Sequence, residues 1–159
     1  MSYRILLAAR IWLVLIAIAG FVMAGSVAVH ELGHAAAGIV MGCDVHLVVL
    51  YSQGEMPFAG ISCASGTADA VVNLSGFLAN LLFGIIFYIS GHIVLKRTSY
   101  VIAGFGLFGS LADFHAMGMP YALALLLSIA GIAIIIYGML SLCRAEAVSL
   151  YSRHTVKRY

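Results

Sequence analysis

Two histidines and a glutamate interrupt an apolar stretch of the chain. In VAVHELGHAAAG, Val27 to Gly38, they are His30, Glu31 and His34. An α-helix brings residues four apart onto one face, so both imidazoles can bind a single Zn²⁺ ion. Glu31 lies next to them around the helix and can take a proton from a water molecule that the ion activates. The motif therefore predicts a zinc site capable of hydrolysis.

Two imidazoles do not complete a catalytic zinc site, which usually has three protein ligands and a water molecule. Asp113, in GSLADFHAMGMP, is the carboxylate inside the later apolar segments, because Asp69 begins a helix and Glu146 follows the last one. Counting from the expected helix ends places Asp113 at a depth that His30 and His34 can share. We predict Asp113 as the third ligand, with His115 as the alternative.

Asn80 is an amide deep in the apolar run NLSGFLANLLFG, where burial without a hydrogen bond is unfavourable. It could donate to a developing oxyanion or hold the carbonyl of the bond that is cleaved. Packing between helices is the alternative. Asn73 lies on the same face, and capping or interhelical hydrogen bonding accounts for it more simply.

The composition is that of an integral membrane protein. Of 159 residues, 64% are hydrophobic and 9% are charged, against about 25% charged in a soluble domain. Ionisable groups at membrane depth usually mark a functional site, although hydrogen-bonded bundle residues or a structural metal site would also account for HELGH. The net charge of +2 is small and not arranged in a stripe, so nucleic acid is not an expected partner.

We predict an all-α polytopic membrane protein with about four transmembrane helices. Residues 1–144 form a single metalloprotease-like domain, and residues 145–159 form a polar tail. The first apolar segment, residues 5–41, is read as one long helix rather than two spans or a cleaved signal peptide. Residues 42–66 predict a short β-hairpin or re-entrant loop. The later spans are expected at residues 67–95, 100–117 and 121–143.

Four spans place both termini on one side of the membrane, together with the lysines and arginines. The positive-inside rule makes that side cytoplasmic and puts the hairpin, with Asp44 and Glu55, outside the cell membrane. Cys43 and Cys63 bracket the hairpin, either as a disulfide or as two unpaired thiols. A disulfide would form in an oxidising compartment, so it would report on topology.

These segments together resemble the site-2 protease family of intramembrane zinc metalloproteases. The resemblance covers about residues 22–118: HELGH on a membrane helix, a Gly-containing hairpin region, the element SGFLAN at 75–80, and a helix that carries Asp113. Phe77 stands where that element has proline, and Asp113 is followed by Phe-His. Familiar members have the hairpin on the cytosolic side, whereas the charges here place it outside.

The resemblance implies that His30, His34 and Asp113 bind zinc, Glu31 is the general base and Asn80 helps to hold the substrate. A strand at residues 45–50 would pair with an unwound membrane-protein or peptide substrate. The leading hypothesis is therefore hydrolysis of a peptide bond in or near a transmembrane segment. The alternatives are an inactive zinc-binding subunit that assembles with other membrane proteins, and a small metal or proton transporter.

Overall fold

The computed structural model describes residues 3–50 and 57–156, and within them the chain is mostly helical with one small sheet. Its elements are α1 (Tyr3–Val40), β1 (Asp44–Val49), β2 (Phe58–Ser62), α2 (Gly66–Ile89), α3 (Ile93–Gly109), α4 (Leu111–Ala116) and α5 (Tyr121–Val156). Three helices are long and apolar enough to cross a membrane: Ala8–Val40, Gly66–Ile89 and Tyr121–Ala145. These helices are the physical basis for treating the chain as a membrane protein.

The first apolar segment is a single helix, as predicted. α1 runs for 38 residues, which corresponds to about 57 Å and exceeds the thickness of a bilayer core. It ends at Val40 and is followed by a turn at Gly42, whose φ of 71° is readily adopted by glycine. The N–H of Gly42 donates to Ile39 and the N–H of Cys43 donates to Gly38, which satisfies the last carbonyls of the helix.

The predicted hairpin is confirmed, and it lies against the end of α1. β1 and β2 pair antiparallel from Asp44 with Ser62 to Val49 with Phe58. A Cβ atom on Gly38 of α1 would lie 3.1 Å from side-chain atoms of both Val45 and Ile61, so the sheet packs closely on this helix. The tip of the hairpin, including Glu55, lies outside the described residues.

Cys43 and Cys63 form a disulfide that closes the base of the hairpin. The sequence had left open a disulfide or two unpaired thiols, and the structure contains the disulfide. Cys143 is a free, half-buried cysteine in α5.

The predicted boundary between the second and third spans is wrong. We expected the second span to reach Leu95 and to be stopped by basic residues, but α2 ends at Ile89 and α3 begins at Ile93. Gly91 has a φ of 76°, a conformation that ends a helix at low cost for glycine. Lys96 and Arg97 consequently lie in the first turns of α3, where Arg97 donates to the Ser141 carbonyl of α5.

The predicted third span, residues 100–117, is divided into α3 and the short α4. Ser110 lies between them, and its hydroxyl donates to the Gly106 carbonyl at 2.7 Å. A single helix over residues 100–117 is therefore wrong, and four transmembrane helices are not established. α5 extends beyond the predicted span to Val156, so most of the polar tail is helical, while residues 157–159 lie outside the described part.

The helices pack closely around a core in the half of the bundle opposite the hairpin. Gly104 and Gly131 let α3 and α5 approach, since a Cβ on either would lie 2.7 Å from the other's carbonyl oxygen. The most buried apolar cluster comprises Leu15, Val22, Val101, Ile102 and Leu142. The hairpin half instead buries polar side chains from α1, α2 and α4, and these form the candidate site.

Candidate metal centre

Three predicted ligands meet at the hairpin end of the bundle. His30 and His34 come from α1, and Asp113 comes from α4. The Nε2 atom of His30 lies 2.9 Å from Asp113 Oδ2, and that of His34 lies 3.6 Å from Asp113 Oδ1. The two Nε2 atoms are 3.0 Å apart. This group could hold a metal ion.

The spacing of these donor atoms fits a tetrahedral metal site. Bonds of about 2.05 Å in tetrahedral geometry would separate ligand atoms by roughly 3.3 Å, and the observed separations fall on either side of that value. Asp113 Oδ2 is buried, with His30 Nε2 as its polar neighbour at 2.9 Å. Nitrogen and carboxylate lone pairs that converge in this way are satisfied by a cation.

His34 is held in the tautomer that a metal ligand needs. Its Nδ1–H donates to the Val72 carbonyl of α2 at 2.6 Å, which leaves the Nε2 lone pair directed at the cluster. The ring fits against α2 because position 76 is glycine. A Cβ there would lie 2.5 Å from His34 Nε2 and 2.8 Å from His30 Cε1.

His30 is supported by Asn80, a polar residue that is only 2% exposed. The Asn80 carboxamide lies 3.5 Å from His30 Nδ1, the ring nitrogen that faces away from Asp113. Gly106 of α3 makes room for Asn80, since a Cβ there would lie 3.0 Å from Asn80 Cβ. Asn80 therefore lies where it can orient the His30 imidazole. The sequence had suggested a different role for this residue, contact with the substrate.

Asp113 reaches the cluster because α4 is set apart from α3 by the break at Ser110. Its neighbour Phe114 is buried and packs edge-to-face on Phe77 of α2, with the ring centroids 5.6 Å apart. This aromatic pair fixes α4 against α2. Phe77, which replaces proline in the resemblance noted above, thus has a packing role beside the site.

Glu31 lies with the cluster on the wall of a cavity of about 550 Å³. Its side chain is largely buried, and Ala59 of β2 lines the same cavity. Apolar side chains from α1 and α3 form the inner wall, whereas β2 and Pro57 form the side towards the hairpin. The principal lining residues are Met23, Val27, Phe58, Ala59, Phe105 and Phe108.

β2 is the strand that borders this cavity. Its residues Phe58, Ala59 and Ile61 line the wall, and no described residue of β1 does. The sequence reading had assigned substrate pairing to residues 45–50, which form β1. Of the two strands, β2 is therefore the one that lies beside the cavity with Glu31.

Several other predicted candidates lie away from the cluster. His115, the alternative ligand, is exposed, and its Nδ1 lies 3.4 Å from the Met119 carbonyl. His46, a further histidine of the hairpin, is also exposed, and its Nδ1 lies 3.6 Å from Asp44 Oδ1. Asn73 lines the cavity but makes no hydrogen bond to His30 or His34. Of these residues, Asn73 alone borders the cavity.

Sequence reasoning missed Gly76, the Val72 carbonyl and the hydroxyl of Ser26. The glycine lies inside the quoted SGFLAN element, and a glycine in an apolar helix is a signal of close approach, but the sequence does not show what approaches. A backbone carbonyl carries no sequence signal at all. Ser26 lies four residues before His30 and therefore on the same helix face, which was a usable signal.

No family model, no curated protein and no solved structure matches this chain.

Proposed function

We propose that this chain is an intramembrane zinc metalloprotease that resembles the site-2 protease family. The observation that carries the proposal is the convergence of His30, His34 and Asp113, with ligand-atom separations between 2.9 and 3.6 Å. Two imidazoles and one carboxylate form a three-ligand set of the kind that leaves one position open for catalysis. Zinc is the metal that suits this set within an H-E-x-x-H motif.

The chemistry is divided among residues on the cavity wall. A zinc ion in this site would act as a Lewis acid towards a peptide carbonyl and would make water a stronger nucleophile. Glu31 takes the proton from the attacking water at its carboxylate and passes it to the leaving nitrogen. The Val72 carbonyl keeps the His34 ring in place during this exchange. Asn80 orients His30, and when its Oδ1 accepts the Nδ1–H of that ring its NH₂ group is free to donate to an acceptor of the substrate.

The cavity and β2 suit an extended peptide. Peptide bonds in a helix are shielded by their own hydrogen bonds and side chains, so a transmembrane substrate must unwind before cleavage. β2 borders the cavity beside Glu31, and pairing of an unwound segment with this strand would bring its backbone towards the cluster. The apolar wall accepts the side chains that transmembrane segments carry.

The disulfide and the positions of the basic residues support the same orientation of the chain in the membrane. The Cys43–Cys63 bridge requires an oxidising environment at the hairpin. The basic residues of α3 and α5 lie towards the opposite end of the bundle, where Arg97 contacts Ser141. We therefore propose that α3, with 17 residues, crosses the membrane as a fourth span, so that both termini face the cytoplasm and the metal centre opens towards the outer side of the cell membrane.

The test uses zinc-loaded protein in liposomes with a set of transmembrane peptides, comparing the wild type with Glu31→Gln and Asp113→Ala. Glu31→Gln is expected to keep zinc and to lower cleavage by at least about 100-fold, because it removes the proton acceptor without removing a ligand. Asp113→Ala is expected to lose both zinc and cleavage. Asp44→Asn is the matched control, since this exposed carboxylate lies outside the cluster.

Two results would contradict the proposal. Full zinc occupancy in Asp113→Ala would remove that residue from the ligand set. Zinc binding by the wild type without cleavage of any peptide would favour an inactive, zinc-binding subunit.

A further inference from the structure

Ser26 is a buried hydroxyl without an acceptor. Four other buried hydroxyls in the described helices, Thr98, Ser99, Ser110 and Ser128, each donate to a backbone carbonyl. Ser26 is 2% exposed, and its Oγ has no hydrogen-bond partner among the described residues. Because burying an unpaired hydroxyl is unfavourable, such a group indicates a site where a ligand supplies the missing partner.

The position of Ser26 points to the cavity beside the metal centre. It lies one helical turn before His30, on the same face of α1, and it lines the cavity. Helix side chains lean towards the helix N-terminus, so the hydroxyl lies at the inner end of the cavity, away from the hairpin. Met23 and Val27 beside it are apolar, so the Ser26 hydroxyl is a polar group among apolar side chains on this part of the cavity wall.

Asn80 supplies a second unpaired polar atom to the same cavity. Its carboxamide is next to His30 Nδ1, and its Oδ1 is buried without a hydrogen-bond partner. An imidazole that binds metal through Nε2 carries a proton on Nδ1, and that proton is accepted by the amide oxygen after a half-turn of the carboxamide. In that orientation the NH₂ group is the free one. Either way, one end of the amide is left for a ligand.

We propose that Ser26 and Asn80 form a polar subsite that selects a substrate residue with a small hydrogen-bonding side chain next to the cleaved bond. A serine, threonine or asparagine side chain carries both a donor and an acceptor for these groups, while the apolar wall accepts the neighbouring aliphatic residues. A site built to hydrogen-bond a substrate group discriminates against an isostere that lacks it, since its own polar atoms are then left unpaired. This subsite rests on the proposed proteolysis.

The test measures a ratio of cleavage rates. Leucine-rich transmembrane peptides that differ only at the residue after the cleaved bond, as Ser against Ala and Thr against Val, are incubated with zinc-loaded protein in liposomes. The wild type is expected to prefer the hydroxyl-bearing member of each pair by about tenfold in kcat/KM. Ser26→Ala is expected to reduce both ratios to within about threefold.

Ser99→Ala is the matched control because its buried hydroxyl donates to the Lys96 carbonyl, in a part of α3 away from the cavity lining. It is expected to keep the wild-type ratio. Thermal unfolding separates a ligand role from a structural one: Ser26→Ala is expected to unfold at or above the wild-type temperature, because its hydroxyl makes no internal hydrogen bond.

The possible results distinguish a failure of the proposed subsite from a failure of the proposed proteolysis. Equal cleavage of the paired peptides by the wild type, a preference that persists in Ser26→Ala, or a clear loss of stability in that variant would overturn the subsite while leaving proteolysis in place. If the zinc-loaded wild type cleaves no peptide at all, the proposed proteolysis fails and the subsite fails with it.

Discussion

Replacing Gly76 with alanine is expected to expel the metal ion without unfolding the bundle. The new Cβ would lie 2.5 Å from His34 Nε2, 2.7 Å from His34 Cε1 and 2.8 Å from His30 Cε1. Ordinary van der Waals contact begins at 3.4 Å, so the His34 ring would have to move by about 0.9 Å. Metal–ligand distances tolerate about 0.2 Å, so a displacement of that size breaks the bond.

The expected loss of zinc affinity follows from the displacement of the ligand rings. Disturbing the groups that orient a metal ligand typically lowers affinity by about 10- to 100-fold, and here two ligand rings are displaced directly. We therefore expect zinc affinity to fall by at least about 100-fold, which corresponds to about 2.8 kcal/mol. Alanine is the better helix former by about 1 kcal/mol, which partly compensates the packing change in α2.

Gly84→Ala is the matched control on the same helix. Its Cβ would meet the Ser99 carbonyl oxygen at 3.4 Å, an ordinary contact, and it gains the same helix propensity. Zinc affinity is measured by competition with a chromophoric chelator in detergent, and folding by circular dichroism. Wild-type zinc affinity in Gly76→Ala, with Gly84→Ala also unchanged, would refute the assignment of the ion to the space between His30, His34 and α2.

Two further variants test the surroundings of the site. Asn80→Ala is expected to lower zinc affinity by about 10- to 100-fold, because His30 loses the group that orients it. Competition with a chelator measures the affinity, and Asn73→Ala is the control. Equal affinities of the two variants would exclude a role of Asn80 in orienting His30. Cys63→Ala is expected to reduce the free energy of unfolding by about 3 kcal/mol, since it opens a loop of 20 residues. Denaturation under oxidising conditions measures that loss, with Cys143→Ala as the control, and equal stability of the two variants would contradict it.

The candidate site was predictable from the sequence to the extent that helix geometry fixes it. The spacing of His30 and His34 determines that they share a face, and the scarcity of carboxylates in the apolar segments singled out Asp113. The packing around these residues was not predictable. The groups that hold the rings, the Val72 carbonyl and the space at Gly76, exist only once α1 and α2 lie together.

The helices and strands were likewise predictable only in part. The long apolar run predicted α1, and two β-favouring runs among Gly, Pro, Ser and polar residues predicted the hairpin. Boundaries inside apolar runs were missed, because the helices are interrupted at Gly91 and Ser110 by only a few polar residues, which a membrane helix can also accommodate. The break at Ser110 matters most for the site, since it separates α3 from the turn of helix that carries Asp113.

The central claim is that one divalent ion is bound by His30, His34 and Asp113. An experimental map of the purified, zinc-loaded protein, recorded with anomalous data on both sides of the zinc absorption edge, tests it directly. We expect one anomalous peak within about 2.2 Å of both Nε2 atoms and of an Asp113 oxygen. A map without that peak, in which the two imidazoles point to different neighbours, would contradict it.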